Sequence, residues 1–312
     1  MINFSKIKIL VVGDFMIDHY IMGTSDRISP EAPVPIVIPK EELSAPGGAG
    51  NVAMNLRSLG SQVYCAGIVG DDQWGRKLIK TLKDNGINTS GIKVFKNHQT
   101  SVKQRIYSNG VQVARIDTEK IIEKYDEKTL LRNCNQYDLI VLSDYNKGVL
   151  NNPKKIISII NSNNSSPKID IVVDPKKNDF KKYTGANIIT PNLIELQKAS
   201  NCNIDDEESI VSACSFLIDQ CNFEYICATR GSKGMIVVGK GGYVKKIQPY
   251  IVKDADVTGA GDTAISSLAL CYALTKDIEL SAKIANAAAS IAVSRPGTAT
   301  VNIEELNKLI SL

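Results

Sequence analysis

The stretch "IKILVVGD", residues 7–14, is apolar at both odd and even positions from Ile9 to Val12 before it reaches Gly13 and Asp14. A strand with one wet face would alternate, so this run reads as a strand buried on both faces, the pattern of a parallel sheet covered by helices. Working outward, the same pattern returns at "LIVLSD" (139–144), "IDIVVDP" (169–175), "NIITPN" (187–192), "YICATRG" (225–231) and "MIVVG" (235–239). Between these runs lie helical patterns: "NVAMNLRSLG", "WGRKLIKTLKDNG", "NPKKIISIINSN" and "EESIVSACSFLIDQ", several of which stop at Gly or Asn. Strand, helix and strand in turn predict an α/β fold with a doubly wound, mostly parallel sheet flanked by helices. With 312 residues it is expected to form one domain, 1–312. "NSNNSSP" (161–167) reads as a polar surface loop.

Two segments break the rhythm, at about 19–43 and 100–117. The first carries four prolines and alternating apolar positions, which suit extended edge strands. The second alternates around Asn109-Gly110, a strong hairpin signal. Together they predict a small antiparallel β flap, or lid, that covers a site or pairs with a second copy of the chain.

Composition narrows the function. The net charge of +4 is dispersed, and no Lys/Arg run exceeds two residues, which argues against nucleic acid as a partner and for small anionic ligands. Seven cysteines include no CxxC pair and the two histidines lie far apart, so neither a zinc site nor a disulfide framework is expected. The N-terminus has too short an apolar run for a signal peptide, and no uninterrupted apolar stretch is long enough to span a bilayer. The expectation is a reduced, cytoplasmic protein with no membrane partner.

Chemistry concentrates at "DVTGAGD", 256–262, directly before the apolar "TAISSLALCYAL". Gly259 and Gly261 let the backbone wrap closely around a ligand, and a helix starting near Ala260 points unpaired N–H groups at it, which favours an anion. Asp262 falls in the first turn of that helix. "PGGAGNVAMNLRSLG", 46–60, is a second glycine-opened helix, with Gly47 and Gly48 at its start and Asn51 inside it.

The two strings resemble the signatures of the PfkB/ribokinase family of sugar kinases, in that family's order and about 200 residues apart, and the resemblance covers essentially the whole chain. Val257 departs from the family's usual threonine, while Thr258, Gly259, Ala260, Gly261 and Asp262 match. The resemblance implies ATP and Mg²⁺, and leaves a monovalent cation open. It makes Asp262 the base that accepts the sugar hydroxyl's proton, and gives the amides of Gly259, Ala260 and Gly261 the charge on the transferred phosphoryl group.

Other roles follow from the same resemblance, residue by residue. Asp14 and Asp18 in "GDFMID", with Gly47, Gly48 and Asn51, would bind sugar hydroxyls. Asn192 and Glu195 in "NLIE" would influence Mg²⁺ and phosphate, Glu195 through water. Thr229, Gly231 and Gly234 in "TRGSKG" would contact nucleotide phosphate, and Asn286 would face the adenine.

Narrower strings, "RISPEAPVP", "LSDYNKGVL", "VVDPK" and "TPNLIEL", resemble the branch that phosphorylates D-glycero-β-D-manno-heptose 7-phosphate at its anomeric hydroxyl, for lipopolysaccharide core or other surface polysaccharide. That substrate needs a cationic pocket, for which Lys103 and Arg105 alternate onto one face of the flap hairpin. Asp144 stands where it can hold a sugar hydroxyl, and Lys147 and Lys176 are candidates for substrate and nucleotide phosphate. Relatives in that branch usually carry a nucleotidyltransferase domain with a G-C-F-D-x-x-H-x-G-H type string. No such string occurs here, so phosphorylation without adenylylation is expected.

Three other readings stand beside this one: a kinase for another sugar or sugar phosphate, a non-catalytic sugar-binding regulator, and a dinucleotide oxidoreductase. The last would need G-x-G-x-x-G after the first strand, where the chain reads "VVGDFMID". A homodimer through the flap is expected, since an isolated flap would leave one face wet.

Overall fold

The chain begins with β1 (Lys8–Gly13), β2 (Phe15–Thr24), β3 (Ile38–Gly48), α1 (Ala49–Ser58), β4 (Gln62–Gly70), α2 (Gln73–Asp84) and β5 (Asn88–Phe95). A hairpin, β6 (Ser101–Ser108) and β7 (Val111–Thr118), leads to β8 (Leu139–Ser143), α3 (Pro153–Ser162), β9 (Asp170–Asp174), β10 (Ile188–Ile189), α4 (Leu193–Ser200) and α5 (Glu207–Cys221). The last third holds β11 (Tyr225–Thr229), β12 (Met235–Gly239), β13 (Tyr243–Ile247), α6 (Ala260–Thr275), α7 (Ile278–Val293) and α8 (Ile303–Ile310). These elements come from a computed structural model that describes residues 2–131, 134–162, 168–176, 178–252, 255–295 and 297–310. The reading of a polar loop at 161–167 falls mostly outside them; Asn161 and Ser162 end α3.

Nine strands form one sheet in the order β13-β12-β11-β10-β9-β8-β1-β4-β5. The pairs from β5 to β11 are parallel, and the antiparallel pairs are β11–β12 and β12–β13 at one edge, where β12 alone runs against the rest of the sheet. In β1 the alternation of apolar side chains feeds two cores. Ile9 and Val11 pack with α1, α2, α6, α7 and α8, while Leu10 and Val12 pack with α3, α4 and α5. This is the expected doubly wound sheet. The chain moves from β1 to β4 on one side and later to β8 on the other, so the order reverses at β1, where open α/β sheets bind ligands beyond the strand carboxyl ends.

The second sheet has four strands in the order β3-β2-β6-β7. The flap is antiparallel within each outer pair, as expected, but a parallel β2–β6 ladder joins the two pairs, so the whole is mixed. Asn109 (φ 49°) and Gly110 (φ 82°) both adopt positive φ at the β6–β7 turn, the backbone that the Asn-Gly dipeptide favours. Extended structure is not continuous over 19–43. Residues between β2 and β3 make only an Ile28–Pro35 bridge, because Pro30, Pro33 and Pro35 lack the N–H groups a ladder needs. Likewise "NIITPN" contracts to a two-residue strand, since Pro191 ends the ladder and Asn192 caps α4.

Candidate functional site

The carboxyl ends of β1, β8 and β9, the start of α6 and the inner face of the lid meet at one cleft. Asp144, Tyr145, Asp174, Lys176, Thr190, Asn192, Glu195, Thr229, Gly259, Gly261 and Asp262 line its polar part. A more apolar cavity adjoins it, walled by Gly234, Pro249, Tyr250, Val257, Asn286 and Val293, with Thr229, Gly231 and Gly261 shared by both.

Asp262 lies in the first turn of α6, buried at 6% exposure. Asn51 Nδ2 donates to its Oδ2 at 2.7 Å, and the Tyr145 hydroxyl donates to its Oδ1 at 2.8 Å. Withdrawal from water pushes its carboxyl up to about 6, and the two donors hold it from going higher. Gly259 precedes the helix at φ 75°, and a Cβ there would stand 2.9 Å from Asn51 Nδ2, so this turn needs glycine for both its backbone and its clearance. One expected detail changes. The N–H of Ala260 closes a turn onto Val257 O at 3.2 Å, while among the described residues those of Gly259 and Gly261 have no backbone partner. Two of the three amides are therefore available to an anion.

Asp14 and Asp18, expected to act as a pair, have different surroundings. Asp14 is turned inward: its carboxylate accepts from the N–H groups of Tyr145 (2.9 Å), Lys147 (2.9 Å) and Val149 (3.0 Å), fixing the loop after β8. Burial nevertheless pushes it up to about 6. Asp18 faces the cleft from β2, where Arg105 Nη1 donates to its Oδ1 at 2.6 Å. A Cβ on Gly47 would fall 2.2 Å from Asp18 Oδ2, so the glycine makes room for that carboxylate.

The β2, β6 and β7 registers place Asp18 beside Lys103 and Asp117, and Tyr20 beside Arg105 and Arg115, all on one face of the lid. Lys103 and Arg105 thus share a face, as their alternation implied. Desolvation, with Arg115, Lys147 and Arg105 nearby, lowers the Lys103 ammonium below its ordinary value. Its Nζ lies 5.3 Å from the ring centre of Tyr145, and the Lys176 Nζ lies 5.7 Å from it.

Two other expected substrate contacts already have partners. Asp144 accepts from Lys182 Nζ (2.5 Å), the Tyr183 hydroxyl (2.6 Å) and the N–H of Asn146 (2.7 Å), so its carboxylate serves to tie neighbouring loops together. Lys147 pairs with Glu119. Asn192 and Glu195 cap α4 reciprocally, each side chain bonding the other's N–H at 2.9–3.0 Å, and Lys176 Nζ stands 3.8 Å from Glu195 Oε1. Desolvation raises the Glu195 carboxyl. Thr229, Gly231, Gly234 and Asn286 all lie around the apolar cavity, where Asn286 Nδ2 donates to Gln248 O at 2.5 Å.

Tyr145 and Asp174 escaped the sequence reading. Tyr145 follows the run "LIVLSD" and Asp174 ends β9 within "IDIVVDP", and their importance depends on what α6 brings to them from more than eighty residues away. Burial, with Asp262 and Glu195 close by, raises the Asp174 carboxyl well above the usual range.

Residues 6–305 match the family model described as pfkB family carbohydrate kinase. Among individual proteins, the chain is 39% identical over 310 residues to "Bifunctional protein HldE" of Aliarcobacter butzleri, covering 96% of this chain and 64% of that one. It is 38% identical over 313 residues to the protein of the same name from Helicobacter pylori, covering 97% and 66%. The chain thus spans just under two thirds of these relatives' length. Among solved structures it resembles Arabidopsis thaliana ribokinase complexed with ribose and ATP (TM-score 0.76, 18% identity, 97% and 98% of the two chains). It also resembles phosphofructokinase-2 from Escherichia coli in complex with potassium (TM-score 0.79, 18% identity, 100% and 99%). Both likenesses show the ribokinase-like fold.

Proposed function

This chain belongs to the pfkB family of carbohydrate kinases, and we propose that it transfers the γ-phosphoryl group of ATP to the anomeric hydroxyl of D-glycero-β-D-manno-heptose 7-phosphate, giving the 1,7-bisphosphate. The observation that carries the reading is Asp262: a buried carboxylate at a helix start, held by two neutral donors and poised near 6, beside unpartnered glycine amides. Such a group is ionised at neutral pH yet basic enough to take a proton.

In the transfer, the sugar oxygen bonds to the γ-phosphorus and the bond from that phosphorus to the β–γ bridging oxygen breaks. ADP leaves with the electron pair, and the hydroxyl proton passes to Asp262. The Gly259 and Gly261 N–H groups stabilise charge on the moving group. Thr229, Gly231, Gly234 and Asn286 support nucleotide binding in the apolar cavity, and Lys176 reaches toward its phosphates from the polar side.

Glu195 and Asn192 offer the oxygen donors that Mg²⁺ takes, and among the described residues no cluster of three acidic, His or Cys side chains forms a closed metal cage. That donor set fits an ion held by phosphates, water and one carboxylate. When bound, Mg²⁺ would neutralise charge on the β- and γ-phosphate oxygens.

The 7-phosphate end is assigned to Lys103 and Arg105 on the lid, with Asp18 and Asn51 toward the hydroxyls. This substrate choice rests on the strings resembling the heptose 7-phosphate branch and on cations grouped at the lid. The lid's edge strands also expose Leu43, Val111, Val113 and Ile116, which supports pairing with a second copy. Among the described residues no helix is long and apolar enough to cross a membrane.

The direct test is ADP release with ATP, Mg²⁺ and a panel containing heptose 7-phosphate, fructose 6-phosphate and unphosphorylated heptose. Preference for the first is expected. Preference for an unphosphorylated sugar would remove the role of the lid cations, and no ATP consumption with any sugar would favour the non-catalytic reading.

A further inference from the structure

Tyr145 touches more of this site than any assigned role accounts for. Its hydroxyl donates to Asp262 Oδ1 at 2.8 Å, and its ring lies near two ammonium groups, Lys103 Nζ from the lid at 5.3 Å and Lys176 Nζ from the loop after β9 at 5.7 Å. Its own backbone is fixed, because its N–H donates to Asp14 Oδ2, whose carboxylate also holds Lys147 and Val149. Asn146 at φ 59° and Gly148 at φ 110°, where a Cβ would strike Ile122 O at 2.3 Å, shape the same loop.

We propose that Tyr145 is the positioning residue of the transfer site: its hydroxyl aims the Asp262 carboxylate at the acceptor, and its ring sets the spacing between the substrate-side cation Lys103 and the nucleotide-side cation Lys176. The inference rests on the proposed phosphoryl transfer. Both Asp262 oxygens receive a fixed donor, Asn51 on Oδ2 and Tyr145 on Oδ1, so the carboxylate has no rotational freedom, and each oxygen keeps a lone pair for an incoming hydroxyl. The hydroxyl remains a neutral donor: burial, with Asp262, Asp174 and Asp18 around it, raises it well above the ordinary tyrosine value. The ring's electron-rich face attracts ammonium groups, which ties lid and nucleotide side to one rigid plane.

The charged groups facing Asp262 are Asp18 on β2, Lys103 on β6 and Asp174 at the end of β9, and those facing Tyr145 are Asp18, Asp174, Lys103 and Lys176. Tyr145→Phe leaves all of them in place and removes only the hydroxyl. Carbon-13 NMR titration of the Asp262 carboxyl, assigned by its loss in Asp262→Asn, needs no substrate. The midpoint is expected to rise by about one pH unit in Tyr145→Phe, since a hydrogen bond to the charged form is lost. An unmoved midpoint overturns the role of the hydroxyl.

In kinetics with ATP and heptose 7-phosphate, Tyr145→Phe is expected to lower kcat about tenfold, with both KM values kept, and to carry the acidic limb upward by the same unit. In an Asp262→Asn background the substitution is expected to add nothing, because Tyr145 acts through that carboxylate. Multiplying losses would overturn this. Tyr145→Leu, which also removes the ring, is expected to raise both KM values, and KM values equal to those of Tyr145→Phe would overturn the role of the ring. If the wild type turns over no sugar phosphate, the functional reading fails, while the NMR midpoint still decides the link between Tyr145 and Asp262.

Discussion

Arg105 Nη1 lies 2.6 Å from Asp18 Oδ1, joining the cation expected to meet the substrate's phosphate to the carboxylate expected to meet its hydroxyls. Both side chains are largely buried, so the pair is worth more than an exposed one, and a phosphate entering beneath the lid competes with Asp18 for the guanidinium.

From this follows the first prediction. Lys103→Met is expected to raise KM for heptose 7-phosphate by tenfold or more, the scale of one charge-assisted hydrogen bond, with KM for ATP almost unchanged. Arg105→Lys should also bind poorly, because an ammonium lacks the planar fork that a guanidinium offers a phosphate. Steady-state kinetics with each substrate varied in turn checks both, and an unchanged sugar KM in Lys103→Met would move the phosphate site elsewhere.

Asp262→Asn is expected to cut kcat at least about a hundredfold with both KM values nearly kept. The same variant should melt higher than wild type at pH 8. A carboxyl raised from 3.8 to about 6 contributes stability that is present below the unfolded value and lost as pH rises through 6, so at pH 8 the native state carries an unfavourable buried charge. The shift corresponds to a ceiling of about 3 kcal/mol. At pH 5 the wild-type carboxyl is mostly protonated in the native state but still ionised in the unfolded chain, so the gap should narrow to about half, closing only below the unfolded value of 3.8. Scanning calorimetry at the two values reads the difference, and a lower Tm for the variant at pH 8 would contradict it.

The wild-type pH profile should show its acidic limb near 6, with kcat/KM falling about tenfold per unit below it as the base takes up its proton. A limb near 4 would mean that the base is a solvated carboxylate rather than this buried one.

Asp14→Ala is expected to destabilise the fold by several kcal/mol, since three N–H groups lose their acceptor at about 1–3 kcal/mol each. It should also depress kcat by loosening the loop that carries Tyr145. Urea unfolding at neutral pH tests the first effect, and a stability equal to wild type would show that water replaces the carboxylate.

The lid predicts a twofold dimer at micromolar concentration, separable by Val113→Lys with Ile116→Lys on exposed β7. Analytical ultracentrifugation distinguishes the outcomes, and a monomeric wild type removes the lid as an interface.

Local chemistry made much of this protein legible from its residues alone. Runs apolar on both parities mark strands covered on both faces, Asn109-Gly110 marks a hairpin because few other residues tolerate two positive φ angles, and the glycines before Asp262 mark a tight turn into a helix. Each of these is a property of a few neighbouring residues. What folding alone decided is which distant groups answer one another: that Asp14 would hold the loop after β8 while Asp18 faced Arg105, that Asp144 would be occupied by Lys182 and Tyr183, and that Tyr145 would reach Asp262. Hydrogen bonds and desolvation act over a few ångströms of space, and the strand order that brings β1, β8 and α6 to one crevice is set by the packing of two cores, which no short stretch of sequence contains.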